Sequence, residues 1–462
     1  WTKRTRFPGV PDTTYVSKVR WSKHDENVIF ATFDGHRSND FTPYVLKSDD
    51  QGENWTSIAG DLPGFGSVRA FAQHHENPDL LFVGTEIAPF VSIDGGESWV
   101  RIAGMPPVRI DDMKIHPRDN DLIIGTHGRG IYIVDDLSPW QVLAQAQAAD
   151  GPFMMPVTDA IAYVPDPSQY SGLHAARDYA AENPPVGTTI RYLLPEGTAE
   201  ARLEILDGSG ELVRSLDAPS RAGLHHVAWD LRMDTPWDGP PEEAESQPVG
   251  FGGGFFRGGN RGPLVAPGSY TSRLTLSDGG EPDRVMEAGI NVLRDENMRL
   301  TNAQLAQLQD LRLHYLELNA SLQMALASAD EVEGLLDDAS AAIEEGRGGD
   351  DLSDQVESIR DELGEVRSAL RASRGFGGGA NRPTPNPAPV QSRLQLASGM
   401  MRATAMPTAQ EMEALESVPA DLAREIERLN AVISTRVPAL VDALDAAGMP
   451  WTPGRTLRPV GE

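Results

Sequence analysis

The sequence of 462 residues contains no cysteine, and this absence removes several kinds of chemistry at once. It excludes disulfide bonds, a thiolate nucleophile and cysteine metal ligands, although it is compatible with either a secreted or an intracellular protein. Basic residues are also few, with 40 Lys and Arg against 68 Asp and Glu, so the formal net charge is −28. Such a chain repels phosphate backbones and anionic lipids, and we therefore expect neither nucleic acid nor a membrane surface as a partner.

Long apolar runs are missing as well. No segment approaches the roughly 20 residues that span a bilayer, so we predict no membrane insertion. The chain starts at Trp1 without a signal-like segment, and we expect it to be a fragment or a processed product. It has no metal-binding motif, no phosphate-binding glycine loop and no Gly-x-Ser-x-Gly turn, so no cofactor and no metal are predicted. The length nevertheless predicts roughly three domains.

Two short segments share the pattern Ser-x-Asp-x-Gly-x-x-Trp and lie 44 residues apart. Each follows one short apolar run and precedes another, which predicts a hairpin turn. Glycine adopts a positive φ at low cost, and the Ser and Asp side chains can accept hydrogen bonds from turn amides. The tryptophan is expected to begin the outgoing strand and to bury its ring. The motif residues are Ser48, Asp50, Gly52 and Trp55 in the first copy and Ser92, Asp94, Gly96 and Trp99 in the second.

A third, weaker copy follows 41 residues after the second. It keeps Asp135 and Trp140 but has Leu137 where the other copies have glycine. Two further short strands precede the hairpin that contains each turn, so one unit is four strands long, which is typical of a propeller blade. We therefore predict three blades over residues 1–140. Since a propeller ring needs at least about four blades, further blades are expected upstream.

The turn motif resembles the Asp-box of BNR-repeat β-propellers. Residues 34–41 (Asp-Gly-His-Arg-Ser-Asn-Asp-Phe) and 125–130 (Gly-Thr-His-Gly-Arg-Gly) are similar to phrases of bacterial sortilin/Vps10-type, glycosyl-hydrolase-like BNR proteins. The resemblance implies a β-propeller in a secreted or periplasmic protein. Asp-boxes occur in sialidases, in xyloglucanases and in non-enzymatic receptors, so the resemblance specifies the fold better than the activity.

The first unit carries nine extra residues between its second and third strands. Because strands alternate in direction, the connections between second and third strands lie on the face opposite the Asp-boxes. We predict this face as the ligand-binding surface, with internally bonded loops as the structural alternative. The Asp-box carboxylates are predicted to be structural, since equivalent positions diverge around a ring. The candidate ligand-binding residues are His36, Arg37, Asn39, Asp40, Glu86, His127 and Arg129.

The remainder of the chain predicts two further units. Residues 141–187 are interpreted as a linker with a first strand near residues 156–164, and the period-two pattern of residues 188–294 predicts a small antiparallel β-sandwich. Residues 226–230 and 266–270 resemble Ig-like modules of the flagellar hook-capping type. Residues 248–263 are predicted to form a mobile loop. From 295 to 462, apolar residues recur every three or four positions, which predicts an antiparallel helical bundle with a Gly/Pro linker at 375–389.

Two functions remain open at this point. The first is a non-catalytic protein that binds a glycan, glycopeptide or peptide, with the helical region as a possible partner-binding or self-association device. The alternative is a glycoside hydrolase of sialidase-like or xyloglucanase-like type whose catalytic carboxylates lie upstream of Trp1. The arginine triad and the Tyr/Glu pair of a sialidase cannot be identified here, so no catalytic residue is assigned.

Overall fold

The protein is a multidomain chain of mixed β and α structure, with several small sheets followed by a helical region. The computed structural model describes residues 3–149, 151–163, 186–235, 262–278, 283–346, 348–371, 388–401, 403–450 and 452. Within these residues, no helix combines the length and the apolarity required to cross a membrane.

Three small antiparallel sheets form the N-terminal part, and in each the strands neighbour one another in chain order. The first contains β1 (Tyr15–Trp21), β2 (Ile29–Asp34), β3 (Tyr44–Ser48) and β4 (Thr56–Ser57). The second contains β5 (Val68–Gln73), β6 (Leu81–Thr85), β7 (Pro89–Ser92) and β8 (Val100–Arg101). The third contains β9 (Ile110–Ile115), β10 (Leu122–Thr126) and β11 (Ile131–Val134).

Successive sheets pack against each other through apolar side chains. One core lies between the first and second sheets around Phe30, Phe71 and Val83, and another lies between the second and third around Phe82 and Ile124. The first strands of the three sheets are neighbours, since β5 packs against both β1 and β9. An ion pair between Lys18 Nζ on β1 and Asp112 Oδ1 on β9, 2.9 Å apart, spans all three sheets.

The prediction for residues 135–140 was wrong, because the third sheet lacks the fourth strand that Trp140 was expected to begin. Helix α1 (Ser138–Ala148) begins there instead and occupies part of the predicted linker. Gly52 and Gly96 have φ of +87° and +99°, whereas Leu137 has φ of −77°, in the right-handed helical region. Pro139, in the first turn of the helix, cannot donate to a β-ladder but is well tolerated in that position.

The second unit consists of two sheets that share one core around Tyr192, Trp229 and Leu274. The strands predicted over residues 188–294 are confirmed, while the strand expected near 156–164 is limited to three residues and pairs in parallel with the strand Arg284–Arg294. One sheet has the order β12 (Phe153–Met154), β14 (Thr188–Leu194) and β17 (Gly223–Trp229). The other has the order β13 (Ala160–Ala162), β19 (Arg284–Arg294), β18 (Gly268–Ser277), β15 (Glu200–Leu206) and β16 (Leu212–Asp217).

The helical region matches the predicted apolar stripes, which pack into one core. Within the described residues, one helix ends at Gly346 and the next starts at Asp350. A capping box joins Thr408 and Glu411 at the start of a later helix. The helices are α2 (Asn302–Gly346), α3 (Asp350–Leu370), α4 (Val390–Ala397), α5 (Ala409–Glu416), α6 (Val418–Ala431) and α7 (Val437–Ala446).

Two predictions fall mainly outside the described residues. The mobile loop predicted at 248–263 lies there except for its last two residues. The Gly/Pro linker predicted at 375–389 lies there except for residues 388 and 389. Both therefore stay predictions.

Candidate functional site

The two complete Ser-x-Asp-x-Gly-x-x-Trp segments, called Asp-boxes for their sequence pattern alone, form turns with the same hydrogen bonds. In the first, Ser48 Oγ donates to Asp50 Oδ1 at 2.8 Å and accepts from the amide of Gly52 at 2.8 Å. Asp50 Oδ1 also accepts from the amide of Asn54 at 2.8 Å. The hydrogen bonds from Asn54 lower the pKa of Asp50 below its ordinary value. Each of these side chains therefore closes the turn that contains it.

The second Asp-box repeats this arrangement. Ser92 Oγ donates to Asp94 at 2.7 Å and accepts from the amide of Gly96 at 2.8 Å, while the Ser98 amide donates to Asp94 at 3.0 Å. Burial alone would raise the pKa of Asp94, but the hydrogen bonds from Ser98 and Ser92 lower it. Trp99 is buried, and its indole nitrogen donates to the carbonyl of Ile58 at 2.9 Å.

Tryptophan in the first Asp-box is less deeply placed. Trp55 is half-buried, donates to the carbonyl of Gly52 at 3.1 Å and packs edge-on against Phe7 with ring centroids 5.5 Å apart. The outgoing strands β4 and β8 begin one residue after the tryptophans rather than at them.

In the third unit, Asp135 and Trp140 do not form the hydrogen-bonded turn of the first two units. Burial raises the pKa of Asp135, and the nearby Asp121 carboxylate adds to this effect. Trp140 lies in α1 and packs on Phe82 with ring centroids 5.7 Å apart. The next residue, Gln141, accepts from Asn120 at 3.0 Å through its side chain. Helix α1 is thus fixed against the sheets at the place where a fourth strand was expected.

On the face opposite the Asp-boxes, one polar cluster joins the first and second sheets. It consists of Asp34 at the end of β2, His36 after it, Arg69 on β5 and Glu86 after β6. A terminal nitrogen of Arg69 lies 2.8 Å from Asp34 Oδ2 and 3.2 Å from Glu86 Oε1. His36 Nδ1 lies 2.7 Å from Asp34 Oδ1. The sequence-predicted residues His36 and Glu86 are therefore brought together through Arg69.

Asp34 determines the protonation of this cluster. Its carboxylate is buried and only accepts hydrogen bonds, so His36 Nδ1 carries a proton and donates to it. The Arg69 nitrogen 3.0 Å from the same Nδ1 is then a second donor held by Asp34, rather than a donor to the ring. Burial alone would raise the pKa of Asp34, but the hydrogen bonds from His36 and the charge of Arg69 lower it.

A second cluster, which also combines an Asp, an Arg and a His but has no Glu, belongs to the third sheet. Arg109 Nε donates to Asp111 Oδ1 at 2.8 Å, and His127 Nδ1 lies 3.0 Å from Asp111 Oδ2. Burial alone would raise the pKa of Asp111, but the hydrogen bonds from Arg109 and His127 lower it. The His127 ring itself is exposed. An Asp that holds both an Arg and a His thus recurs on this face.

Of the remaining predicted residues, Asp40 is bonded within its own loop, and the others are exposed to solvent. Asp40 accepts from the amide of Thr42 at 3.0 Å and from the hydroxyl of Tyr44 at 2.8 Å, so it closes its own loop. Arg37, Asn39 and Arg129 are exposed. Asn39 has φ of 59° and ends a short 3-10 helix, His36–Ser38, which orders the inserted residues. Only Arg37 and Arg129 of this set present long charged side chains to solvent.

Sequence reasoning missed the residues that assemble these clusters, namely Asp34, Arg69, Arg109 and Asp111. A signal for two of them was present. Arg69 and Arg109 lie 40 residues apart, close to the repeat spacing, and each stands at the start of the first strand of its sheet. The contact of Asp34 with Arg69 depends on packing between successive sheets, and the contact of Asp111 with His127 depends on the pairing of β9 with β10.

The first cluster contains residue types that could act as metal ligands. Among the described residues, Asp34, His36 and Glu86 offer ligand atoms that all lie within 4.8 Å of one another. The Arg69 guanidinium already lies between the two carboxylates and supplies the positive charge that a cation would provide. We therefore interpret this group as an internal ion-pair network. Arg69 Nε is buried and has no hydrogen-bond partner among the described residues.

A separate groove of about 680 Å³ lies on the second unit, between β15, β16 and β17. Its lining includes Arg202, Asp217 and His226. Burial and the neighbouring Arg191 lower the pKa of His226. His225 and His226 are successive strand residues and point to opposite sides of β17, with His225 buried. The groove is wide open and contains none of the sequence-predicted residues, so we consider it less suited to specific binding than the clustered face.

Comparison of the sequence with protein-family models and with curated proteins gives no match. Solved structures give partial matches at low identity. The extracellular domain of a one-component system from B. thetaiotaomicron is 10% identical, with 60% of this chain and 31% of that chain covered and a TM-score of 0.21. The GH74 enzyme of Niastella koreensis is 14% identical (60% and 39% covered, TM-score 0.23). The GH74 xyloglucanase from Xanthomonas campestris is 12% identical (59% and 45% covered, TM-score 0.21).

The chain therefore spans about a third of the length of the first of these proteins. They are extracellular domains or GH74 enzymes, matched over part of their length. With identities and TM-scores this low, function has to be inferred from the residues of this chain.

Proposed function

We propose that this chain is part of a secreted or periplasmic BNR-type propeller protein that binds a glycan or peptide through the face opposite its Asp-boxes. The observation that carries the proposal is the repetition of an Asp–Arg–His cluster on that face, once around Asp34 and once around Asp111. Fixed donors and acceptors of this kind orient a polar ligand.

A propeller arrangement is supported by the packing of the first three sheets. Each sheet is an antiparallel meander, and the first strands β1, β5 and β9 lie side by side, as expected for strands nearest a central axis. Residues 1–140 would then be blades, and residues 188–294 an Ig-like sandwich. The helical region from 295 to 462 would serve as a docking or self-association unit.

Binding is favoured over catalysis because the carboxylates of the two clusters have lowered pKa values and are paired with arginine and histidine. A glycosidase needs a general acid with a raised pKa paired with a second carboxylate. The pKa values of Asp34 and Asp111 are both lowered because each accepts hydrogen bonds from an arginine or a histidine neighbour. The pKa of Asp112, which is paired with Lys18, is lowered as well. These groups are therefore suited to holding donors in place.

The second candidate function is a glycoside hydrolase whose catalytic carboxylates lie outside this segment. The turn at residues 127–130 supports a role for this face in either case. Gly128 and Gly130 have φ of +77° and +79°, and an added Cβ at either glycine would meet nothing within 4 Å. A ligand could therefore approach the backbone beside Arg129 closely.

The proposal is tested with the full chain on arrays of oligosaccharides and peptides, followed by titration of whichever binds. Replacing Arg37 or Arg129 with Ala is expected to weaken binding several-fold without lowering the melting temperature. Arg118→Ala is the matched control, because Arg118 is 82% exposed but lies in the β9–β10 turn on the Asp-box side. If Arg37→Ala and Arg129→Ala bind as tightly as the parent chain and Arg118→Ala, this face is not the binding site. Release of reducing sugar would favour the hydrolase.

A further inference from the structure

Two phenylalanine rings stack on the candidate binding face. Phe41 belongs to the inserted loop between β2 and β3, and Phe65 belongs to the connection between β4 and β5. Their ring centroids are 4.9 Å apart and the planes are inclined by 26°. Phe41 is half-buried, whereas Phe65 is 55% exposed. The outer face of an aromatic ring is thus presented to solvent from a supported position.

Hydrogen bonds to the backbone hold together the two loops that carry these rings. The amide of Gly66 donates to the carbonyl of Phe41 at 2.7 Å, and Ser67 Oγ donates to the carbonyl of Asp40 at 3.4 Å. Gly66 has φ of +128°, and a Cβ added there would lie 3.4 Å from Ile87. Glycine at this position therefore allows the connection to adopt this conformation and to pass close to the β6–β7 turn.

The stacked pair adjoins the first polar cluster through both of its supporting segments. The Asp40 amide donates to the carbonyl of Gly35 at 3.1 Å, which places the start of the Phe41 segment next to His36. On the other side, the packing of Gly66 against Ile87 places the Phe65 segment next to Glu86. An apolar ring face and a set of fixed hydrogen-bonding groups therefore lie side by side.

The charges beside the rings indicate what kind of ligand fits. The inserted loop and the adjoining cluster contain three carboxylates, those of Asp34, Asp40 and Glu86, and two guanidinium groups, those of Arg37 and Arg69, together with the His36 imidazole. Carboxylates and cations are nearly balanced, and Arg69 is already paired. A strongly anionic ligand would meet carboxylates without a surplus of cations. A neutral ligand with many hydroxyl groups could use donors and acceptors of both kinds.

We infer that Phe65, supported by Phe41, is a stacking platform for the ring of a neutral hexose whose hydroxyl groups reach the Asp34–His36–Arg69–Glu86 cluster. A pyranose has an apolar C–H face and a rim of hydroxyl groups. The negative face of an aromatic ring attracts the slightly positive C–H groups. The inference rests on the proposed function, since it names the ligand class of the same face.

The test is calorimetric titration of the full chain with neutral oligosaccharides of three to six hexose units. Acidic oligosaccharides and a peptide mixture form the other two arms. Phe65→Ala is expected to weaken binding of the neutral sugar by roughly tenfold, while Phe65→Trp retains it. Trp21→Ala is the matched control, because Trp21 is a 62% exposed aromatic residue at the end of β1 that lies away from the candidate binding face. Melting temperatures of all variants show that the fold is kept.

Each result has a distinct meaning. Neutral-sugar binding that Phe65→Ala weakens and Phe65→Trp preserves supports the inference. Binding confined to acidic sugars or peptides, and weakened by Arg129→Ala, overturns the platform but leaves the proposed function standing. Neutral-sugar binding that is equally strong in Phe65→Ala also overturns it. Absence of binding in all three arms overturns both proposals.

Discussion

The side-chain oxygen of Asn120 lies 2.7 Å from Nε2 of His74, and this hydrogen bond ties the second sheet to the third. His74 is fully buried, and its Nδ1 accepts from the amides of Glu76 and Asn77. Nε2 therefore carries the proton and donates to Asn120. Asn120 in turn donates to Gln141 of α1, so a single imidazole connects two sheets and a helix.

Stability should depend on pH through His74. Burial lowers its pKa below the ordinary 6.5, and the Asn120 bond offsets this only in part. A folded state that disfavours the charged ring binds fewer protons than the unfolded state, so the His74 contribution is full above pH 6.5 and is lost as pH falls below it. Urea unfolding at pH 7.5 and 5.5 is expected to give a smaller difference for His74→Gln than for the parent chain. An unchanged difference would contradict this assignment.

Gly84 should be intolerant of a side chain. A Cβ added there would lie 2.5 Å from Ile110 Cγ2 and 2.9 Å from Ala70 Cβ, between the second and third sheets. Gly84→Ala is therefore expected to reduce the free energy of unfolding by about 1–3 kcal/mol through overpacking. Gly125→Ala is the matched control at the equivalent repeat position, since its nearest neighbour would be 3.6 Å away. Equal losses in the two variants would argue against this packing between the sheets.

The Asp-box serine should contribute to stability rather than to binding. Ser48 is 1% exposed, and its loss leaves the Gly52 amide without an acceptor. Ser48→Ala is expected to cost about 1–3 kcal/mol and to accelerate hydrogen exchange in residues 48–57. Thr56→Ala, at an exposed position on β4, serves as the control. A Ser48→Ala variant with normal exchange but altered ligand affinity would reverse the assignment.

One ion pair should couple the three-sheet part to the second unit. Arg191 on β14 lies 2.5 Å from Asp136 Oδ2, with both side chains less than a fifth exposed. A double-mutant cycle with Arg191→Gln and Asp136→Asn is expected to give a coupling of roughly 1–2 kcal/mol. The exposed pair Arg273–Glu287 should give less than about 1 kcal/mol. Comparable couplings for the two pairs would mean that burial adds nothing to the Arg191 contact.

The limits of sequence interpretation are clear at particular residues. Period-two and heptad-like patterns located most strands and helices, because burial of one face fixes those periods. The Asp-box pattern failed at residues 135–140, where Leu137 replaces a glycine that must adopt a positive φ and Pro139 favours a helix. The carboxylate of Asp34 was also overlooked as a site residue, since its partner Arg69 is 35 positions away and belongs to another sheet.

Within the predicted face, the outcome was similarly divided. His36 and Glu86 do meet, but through an arginine that the pattern did not indicate. Asp40 is used within its own loop by Tyr44. The inserted loop was visible as a difference in spacing between repeats. The stacking of its Phe41 on Phe65 depends on a second loop, between β4 and β5, whose approach could not be predicted from spacing.

Helix α2 has a mechanical consequence for whatever this chain contacts. Its 45 residues extend about 68 Å at the usual rise per residue. Gln309, near its start, accepts from the Ala266 amide of the second unit, whereas Gly346 at its end lies beside Met449. Helix α2 would thus keep a molecule attached at its far end several tens of ångströms from the sheets. Bending or cutting this helix would change the distance between that molecule and the sheets without altering the ligand face.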